Sequence, residues 1–155
     1  MRRRDREVTD LKELETILQE CMVVRLGLQD DEGIFVVPMN YGYCLEGEKL
    51  TLYLHSAQEG RKVAAFRQGE TAAFEMDCCH ALQTAETACA HSFGYRSLMG
   101  TGTLQELTSP GEKRTALEQI MAHMTGRTWE IPERALDSVA VFALCVKRWT
   151  GKQNQ

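Results

Sequence analysis

The chain has 155 residues, 43% of them hydrophobic and 26% charged, with a net charge of −4 and a pI of about 5.6. That length and balance fit a single globular domain, expected over residues 1–155, with enough apolar residues to bury a core. The acidic balance argues against a nucleic-acid surface, which asks for a basic face, and no apolar run is long enough to span a bilayer, so neither nucleic acid nor membrane is an expected partner.

The first eight residues, MRRRDREV, are basic but lead into no apolar signal core. Arg2, Arg3 and Arg4 therefore read as a solvated tail. Six cysteines (Cys21, Cys44, Cys78, Cys79, Cys89 and Cys145) form no regular framework. Without a secretory signal, reduced thiols and a cytoplasmic location are the expectation.

Asp10 is placed to cap a first helix, with Glu13 at capping-box spacing. Leu11, Leu14, Ile17 and Leu18 give that helix one apolar stripe down to Cys21. Residues 22–28 (MVVRLGL) suit a strand, 29–33 a turn, and 34–43 (IFVVPMNYGY) a second strand interrupted by Pro38. A proline there costs a ladder bond and marks an edge, a bulge or a break. Asn40, Tyr41 and Tyr43 place polar side chains beside it. A hairpin turn at Gly47 leads to a third strand over 49–55.

The stretch LYLHSAQEGRK (52–62) carries the strongest chemical pattern. A strand ends in a polar turn, and Gly60-Arg61-Lys62 opens a short helix that closes near Gly69. A strand, turn and helix with two cations at the helix start suit an anion, because unpaired backbone N–H groups and the helix dipole favour negative charge. Arg61 can add a forked pair of hydrogen bonds and Lys62 a point charge. A solvated basic face is the commoner use of such a pair. The glycine spacing of a P-loop or a Rossmann turn is missing, so the phosphate site would be of another kind.

Residues 71–77 form a fourth strand. The segment 78–92 is polar and reads as a loop extension. Cys78, Cys79, His80, Cys89 and His91 lie in it, but the paired CxxC spacing of a structural zinc site is absent, and no metal is expected. Residues 93–107 form a long strand, where Gly100 and Gly102 suggest a bulge or the close approach of another backbone. Ser109, Pro110 and Glu112 start a helix with a capped first turn, and Gly126 ends it. Residues 128–136 look irregular. The last strand, 138–149, is apolar on both faces and so covered on both sides, and 151–155 read as a frayed tail. Six strands with hairpin turns and few helices make an α+β, mainly β, protein, whose antiparallel sheet would close into a barrel to remove its edges.

Three stretches, VVPMNYGY (36–43), LYLHSAQEGRK (52–62) and YRSLMGTG (95–102), together resemble the FMN-binding split barrels related to pyridoxamine 5′-phosphate oxidase, and within them the nitroimidazole-resistance (Nim) proteins. The resemblance implies a six-stranded antiparallel split β-barrel with flanking helices. It implies that Val37, Pro38, Met39 and Asn40 run along a flavin ring and that His55 and Ser56 stand beside the ring and its ribityl phosphate. Arg61 and Lys62 would grip that phosphate. Tyr95, Arg96 and Ser97 would reach a flavin bound across the interface of a homodimer. The basic C-terminal substrate signature of the pyridoxamine 5′-phosphate oxidases is missing here, which argues against pyridoxine chemistry.

The expected function is thus an FMN-binding oxidoreductase that reduces a small acceptor, nitroaromatics included, with NAD(P)H. His55 is the candidate to touch the acceptor, and a plain hydrogen-bonded histidine is the alternative. Two other readings compete. One is a non-catalytic module binding flavin or haem, with deazaflavin as a further cofactor alternative. The other is a cysteine-based redox or metal protein built on 78–91.

Overall fold

The computed structural model describes residues 3–69 and 71–154. Arg2, at the head of the expected basic tail, and Gln155, at the end of the expected C-terminal tail, lie outside them. The elements run β1 (Glu7–Val8), α1 (Leu11–Glu20), β2 (Val24–Asp30), β3 (Gly33–Met39), β4 (Gly42–Glu46), β5 (Lys49–Ser56), α2 (Arg61–Arg67), β6 (Thr71–Gln83), β7 (Ser92–Glu106), α3 (Pro110–Thr125), α4 (Glu133–Ser138) and β8 (Ala140–Asn154).

All strand pairs are antiparallel, in the order β3-β2-β6-β7-β8-β5-β4, with β1 on the end of β8. The two ends of that order, β3 and β4, are consecutive in the chain and joined only through Asn40 and Tyr41. Met39 and Gly42 can be at most about 11 Å apart, given about 3.8 Å between successive Cα atoms. Seven flat strands at about 4.8 Å spacing would put the edges roughly 29 Å apart. The sheet must therefore curl until its edges meet, and this makes the barrel.

Eight strands replace the expected six. The second expected strand, 34–43, is in fact two, because Tyr41 turns into the core where the chain passes from one edge of the sheet to the other. The Tyr41 ring is fully buried, and its hydroxyl lies 2.7 Å from the Leu18 carbonyl and 3.0 Å from that of Cys21. Leu18 lies in the last turn of α1, where carbonyls lack helical partners. One tyrosine thus ties the strand crossing to the helix end. Pro38 lies in β3, an edge strand, where its missing N–H costs little.

The eighth strand is β1, in which Glu7 and Val8 pair with Lys152 and Gly151. Two further differences concern length. β6 continues through Gln83 rather than ending before the loop, and β8 runs to Asn154, so the tail is not frayed. Residues 151–154 lie against β7, and Gly151 and Lys152 also pair with β1, which satisfies their backbone groups. α4 starts inside the stretch read as irregular and runs through Ser138, so β8 begins at Ala140 rather than at 138.

β8 joins two apolar clusters. Ala140, Phe142 and Leu144 face the barrel interior with Leu52, Leu54 and Phe66, while Val141 and Ala143 face Ala116, Leu117 and Ile120 of α3. The Phe142 and Phe66 rings meet edge to face at 5.0 Å, a favoured aromatic geometry. α3 lies so close to β4 that a Cβ on Gly42 would run into the backbone of Gln119 and Ile120. Its start is capped as expected, with Ser109 Oγ accepting from the Glu112 amide at 3.2 Å. The β7–β8 register shifts at Thr101/Gly102, and a Cβ on Gly102 would meet the Cys145 carbonyl.

Candidate functional site

The end of β5 presents alternate residues to opposite sides. Leu50, Leu52, Leu54 and Ser56 point inward and Lys49 and His55 outward, so the expected His55–Ser56 pair is split across the strand. Ser56 is 6% exposed, and its Oγ is one of two buried side-chain oxygens without a hydrogen-bond partner among the described residues, the other being Thr103 Oγ1. A buried hydroxyl left unpaired costs free energy unless a water or a ligand completes it.

Gly60, at φ 128°, lets the chain turn from β5 into α2, a backbone state that a side chain would strain. α2 has seven residues and no side-chain cap. Its dipole is therefore short, and an anion here depends mainly on side chains. Arg61 does not stand free. Its Nε and Nη2 donate to Asp30 at 2.6 and 2.9 Å, its Nη1 lies 3.3 Å from Glu32, and its guanidinium sits 4.2 Å over the Phe35 ring. The fork on Asp30 holds that carboxyl below its ordinary pKa. Lys62 has no ion-pair partner among the described residues, which leaves it the available cation. Although solvent reaches His55, the protein packed around it lowers its pKa, and Lys62 lowers it further. The imidazole is accordingly neutral near pH 7, able to donate one hydrogen bond and accept one.

Along β3, Val37 and Met39 pack inward, whereas Pro38 points out opposite Arg25. Asn40 donates to the Met22 carbonyl at 3.1 Å. The outer edge of β3 pairs with no strand among the described residues.

Tyr95, Arg96 and Ser97 lie elsewhere. Arg96 faces Cys78 across the β6–β7 ladder, while the Asp30–Arg61 pair lies toward the Thr71 end of β6. The intervening strand amounts to on the order of 20 Å at about 3.3 Å per residue. One chain does not bring this trio to Ser56 and Lys62. Within its own chain, Arg96 Nη1 donates to Glu20 at 2.8 Å, and Lys152 sits over the Tyr95 ring at 5.7 Å.

The cysteine- and histidine-bearing segment also separates. His80 Nε2 pairs with Asp77 at 2.6 Å, His91 Nδ1 donates to the Thr87 carbonyl, and Cys89 is exposed. Cys78 and Cys79 instead meet Glu20 of α1. Sequence spacing could not show this meeting, nor the hold of Asp30 on Arg61, because both join residues far apart in the chain. A cavity of about 490 Å³ between α1, β4 and α3 was also unforeseen, with Tyr43, Cys44 and His123 in its lining. His123 Nε2 donates to the Cys21 carbonyl at 2.9 Å, its ring 4.6 Å from that of Tyr41, and burial lowers its pKa.

No helix among the described residues is long and apolar enough to cross a membrane. Comparison with known proteins adds the following. A family profile, pyridoxamine 5′-phosphate oxidase, matches residues 10–153. A candidate 5-nitroimidazole antibiotic resistance protein from Bacteroides thetaiotaomicron is 31% identical, with TM-score 0.80 over 95% of this chain and 86% of that one. An FAD- and haem-binding protein from Mycobacterium smegmatis is similar at TM-score 0.79 and 19% identity, over 97% and 74% of the two chains. A flavocytochrome from Azotobacter vinelandii aligns at TM-score 0.79 and 18% identity, over 100% and 72%. At those identities the last two show the fold alone. No curated protein matches the chain.

Proposed function

Since this chain belongs to the pyridoxamine 5′-phosphate oxidase family, we propose that it binds FMN and reduces a small acceptor, nitroaromatic compounds included, at the expense of NAD(P)H. The carrying observation is the buried Ser56 Oγ without a partner, at the strand end that leads to Lys62. The donor set fits a phosphate: a hydroxyl seeking a partner, an ammonium group with no ion-pair partner among the described residues, and the Arg61 protons not taken by Asp30. The flavin supplies the hydride chemistry.

The chain's own groups bind and orient. Lys62 and Ser56 would hold the phosphate. Arg61 would hold the β2–β3 turn in place through Asp30 and offer its remaining donors. The open edge of β3 over 37–40 would meet the polar rim of the ring, and the inward Val37 and Met39 would keep that strand fixed. His55, neutral near pH 7, would orient the acceptor through a hydrogen bond rather than by charge.

The reading includes a homodimer, in which Tyr95, Arg96 and Ser97 of one copy approach the flavin held by the other. Two features support it. The trio lies far from Ser56 in its own chain. The outer sheet face also carries exposed apolar residues, with Ile34 81%, Val36 61% and Met99 49% exposed. Cross-strand pairs Val36–Gly27–Ala73–Thr101 and Pro38–Arg25–Glu75–Met99 place these on one surface.

The test is FMN titration of the wild type and of Ser56→Ala and Lys62→Ala, followed by NADH and NADPH oxidation with a nitroimidazole acceptor. Each substitution should weaken FMN binding about ten- to hundredfold, since one charge-assisted hydrogen bond contributes roughly 1.5–3 kcal/mol. Unchanged affinity in the double variant would remove the phosphate site. Tight FMN binding without nucleotide oxidation would leave a binding module.

A further inference from the structure

The bulge in β6 turns two neighbouring thiols toward one carboxylate. In a regular strand, successive side chains point to opposite faces. Here the β6–β7 register breaks between Cys78 and Ala81, and Cys79 has φ 57°, the one positive-φ residue besides glycine among those described. Bulges re-aim side chains in this way, and a strained non-glycine residue is often held for function. The Sγ atoms of Cys78 and Cys79 stand 3.7 and 3.4 Å from Glu20 Oε2. One donor atom from each of the three residues lies within 4.8 Å of the others, and no other such group of three His, Cys, Asp or Glu occurs among the described residues.

The spacing and the charge both suit a cation. Donors around a tetrahedral zinc-type ion are about 3.5–4 Å apart, given metal–sulfur bonds of about 2.3 Å. Two thiolates and a carboxylate carry three negative charges. A divalent ion leaves one, and the Arg96 guanidinium, 2.8 Å from Glu20 Oε2, balances it. Arg96 would then hold Glu20 in the way that metal-ligating carboxylates are held by outer partners. A cavity of about 340 Å³, with Glu20, Cys79, Tyr95, Arg96 and Asn154 in its lining, opens the fourth position to small molecules.

We propose that Glu20, Cys78 and Cys79 form a binding site for a thiophilic divalent cation of the zinc class, with three protein ligands and one open position. Sulfur ligands favour such ions over magnesium or calcium. On binding, each thiol releases its proton to solvent as its metal–sulfur bond forms, and no oxidation state changes. The site uses neither Ser56 nor Lys62, and although it shares Arg96 and the neighbouring Tyr95 with the dimer reading, its three ligands are not flavin contacts and its test needs no flavin.

The experiment is anaerobic titration of the reduced, chelator-treated full chain with Co²⁺, read by its thiolate-to-cobalt charge-transfer band, followed by displacement with Zn²⁺. One equivalent of Co²⁺ should develop the band and Zn²⁺ should abolish it. Cys78→Ser with Cys79→Ser should remove the band, Glu20→Gln should weaken binding at least tenfold, and Cys89→Ser should change nothing. Absence of the band in folded wild type, or its persistence in the double cysteine variant, overturns the site. A second readout needs no variant: Zn²⁺ should protect Cys78 and Cys79 from alkylation, mapped by mass spectrometry, and equal labelling with and without Zn²⁺ also overturns it.

Discussion

Replacing Tyr41 by phenylalanine removes one oxygen from the fully buried ring that joins the strand crossing to α1. The ring itself can stay, so no large cavity forms. What is lost is the donor 2.7 Å from the Leu18 carbonyl and 3.0 Å from that of Cys21. Cys21 keeps His123 as a partner at 2.9 Å, whereas Leu18, in the last turn of α1, is left with none of the helical kind. An unsatisfied buried carbonyl costs about 1–3 kcal/mol. A loss of about 2 kcal/mol lowers the melting temperature of a chain this size by about 4–8 °C. Urea denaturation should show the midpoint falling with an unchanged slope, because the surface exposed on unfolding is the same. A loss below about 0.5 kcal/mol, the range of an unremarkable surface change, would refute the idea that this hydroxyl fastens the barrel's crossing point.

Other outcomes follow from the same structure. Phe142→Ala empties the centre shared by β8 and α2 and should cost about 3–5 kcal/mol, read by the same denaturation assay. Gly42→Val drives a side chain into the backbone of α3 and should cost at least about 1–3 kcal/mol, seen as a lower melting temperature; an unchanged value would mean that α3 does not pack there. Burial lowers the His123 pKa from its ordinary 6.5, so its contribution to stability is full above that value and is lost as pH falls through the lowered one; His123→Gln should flatten the urea midpoint between neutral and mildly acidic pH. Under the proposed FMN-binding homodimer, Val36→Arg on the exposed sheet face should shift the protein to monomer in sedimentation velocity and lower FMN affinity with it, whereas a dimer that survives the substitution would place the interface elsewhere.

Local patterns carried much of the fold into view. Asp10, Ser109 and Gly126 announce helix ends because capping is chemistry between neighbours. The apolar run around Phe142 announces a strand covered on both sides, since alternating residues must each find an apolar partner. Gly102 marks the close approach of β8 because only a residue without Cβ fits there. The three resemblance stretches likewise point to the family.

Tertiary structure decided the rest, because it sets which distant groups share a place. Splitting 34–43 into two strands depends on Tyr41 finding α1, and no local propensity encodes that contact. Extending β8 to Asn154 depends on β7 and β1 lying on either side of the tail. Arg61 and Lys62 look alike in sequence, yet Asp30 at the β2–β3 turn engages one and leaves the other without an ion-pair partner among the described residues. Cys78 and Cys79 have no metal spacing along the chain; a bulge and a carboxylate 58 residues away bring the donors together. Sequence by itself determined most of the segments that form strands and helices and which family pattern they follow, since these rest on periodicity and neighbouring side chains. Only the closed barrel fixed which charges are already paired and which polar atoms still need a partner, because electrostatics and hydrogen bonding act through space.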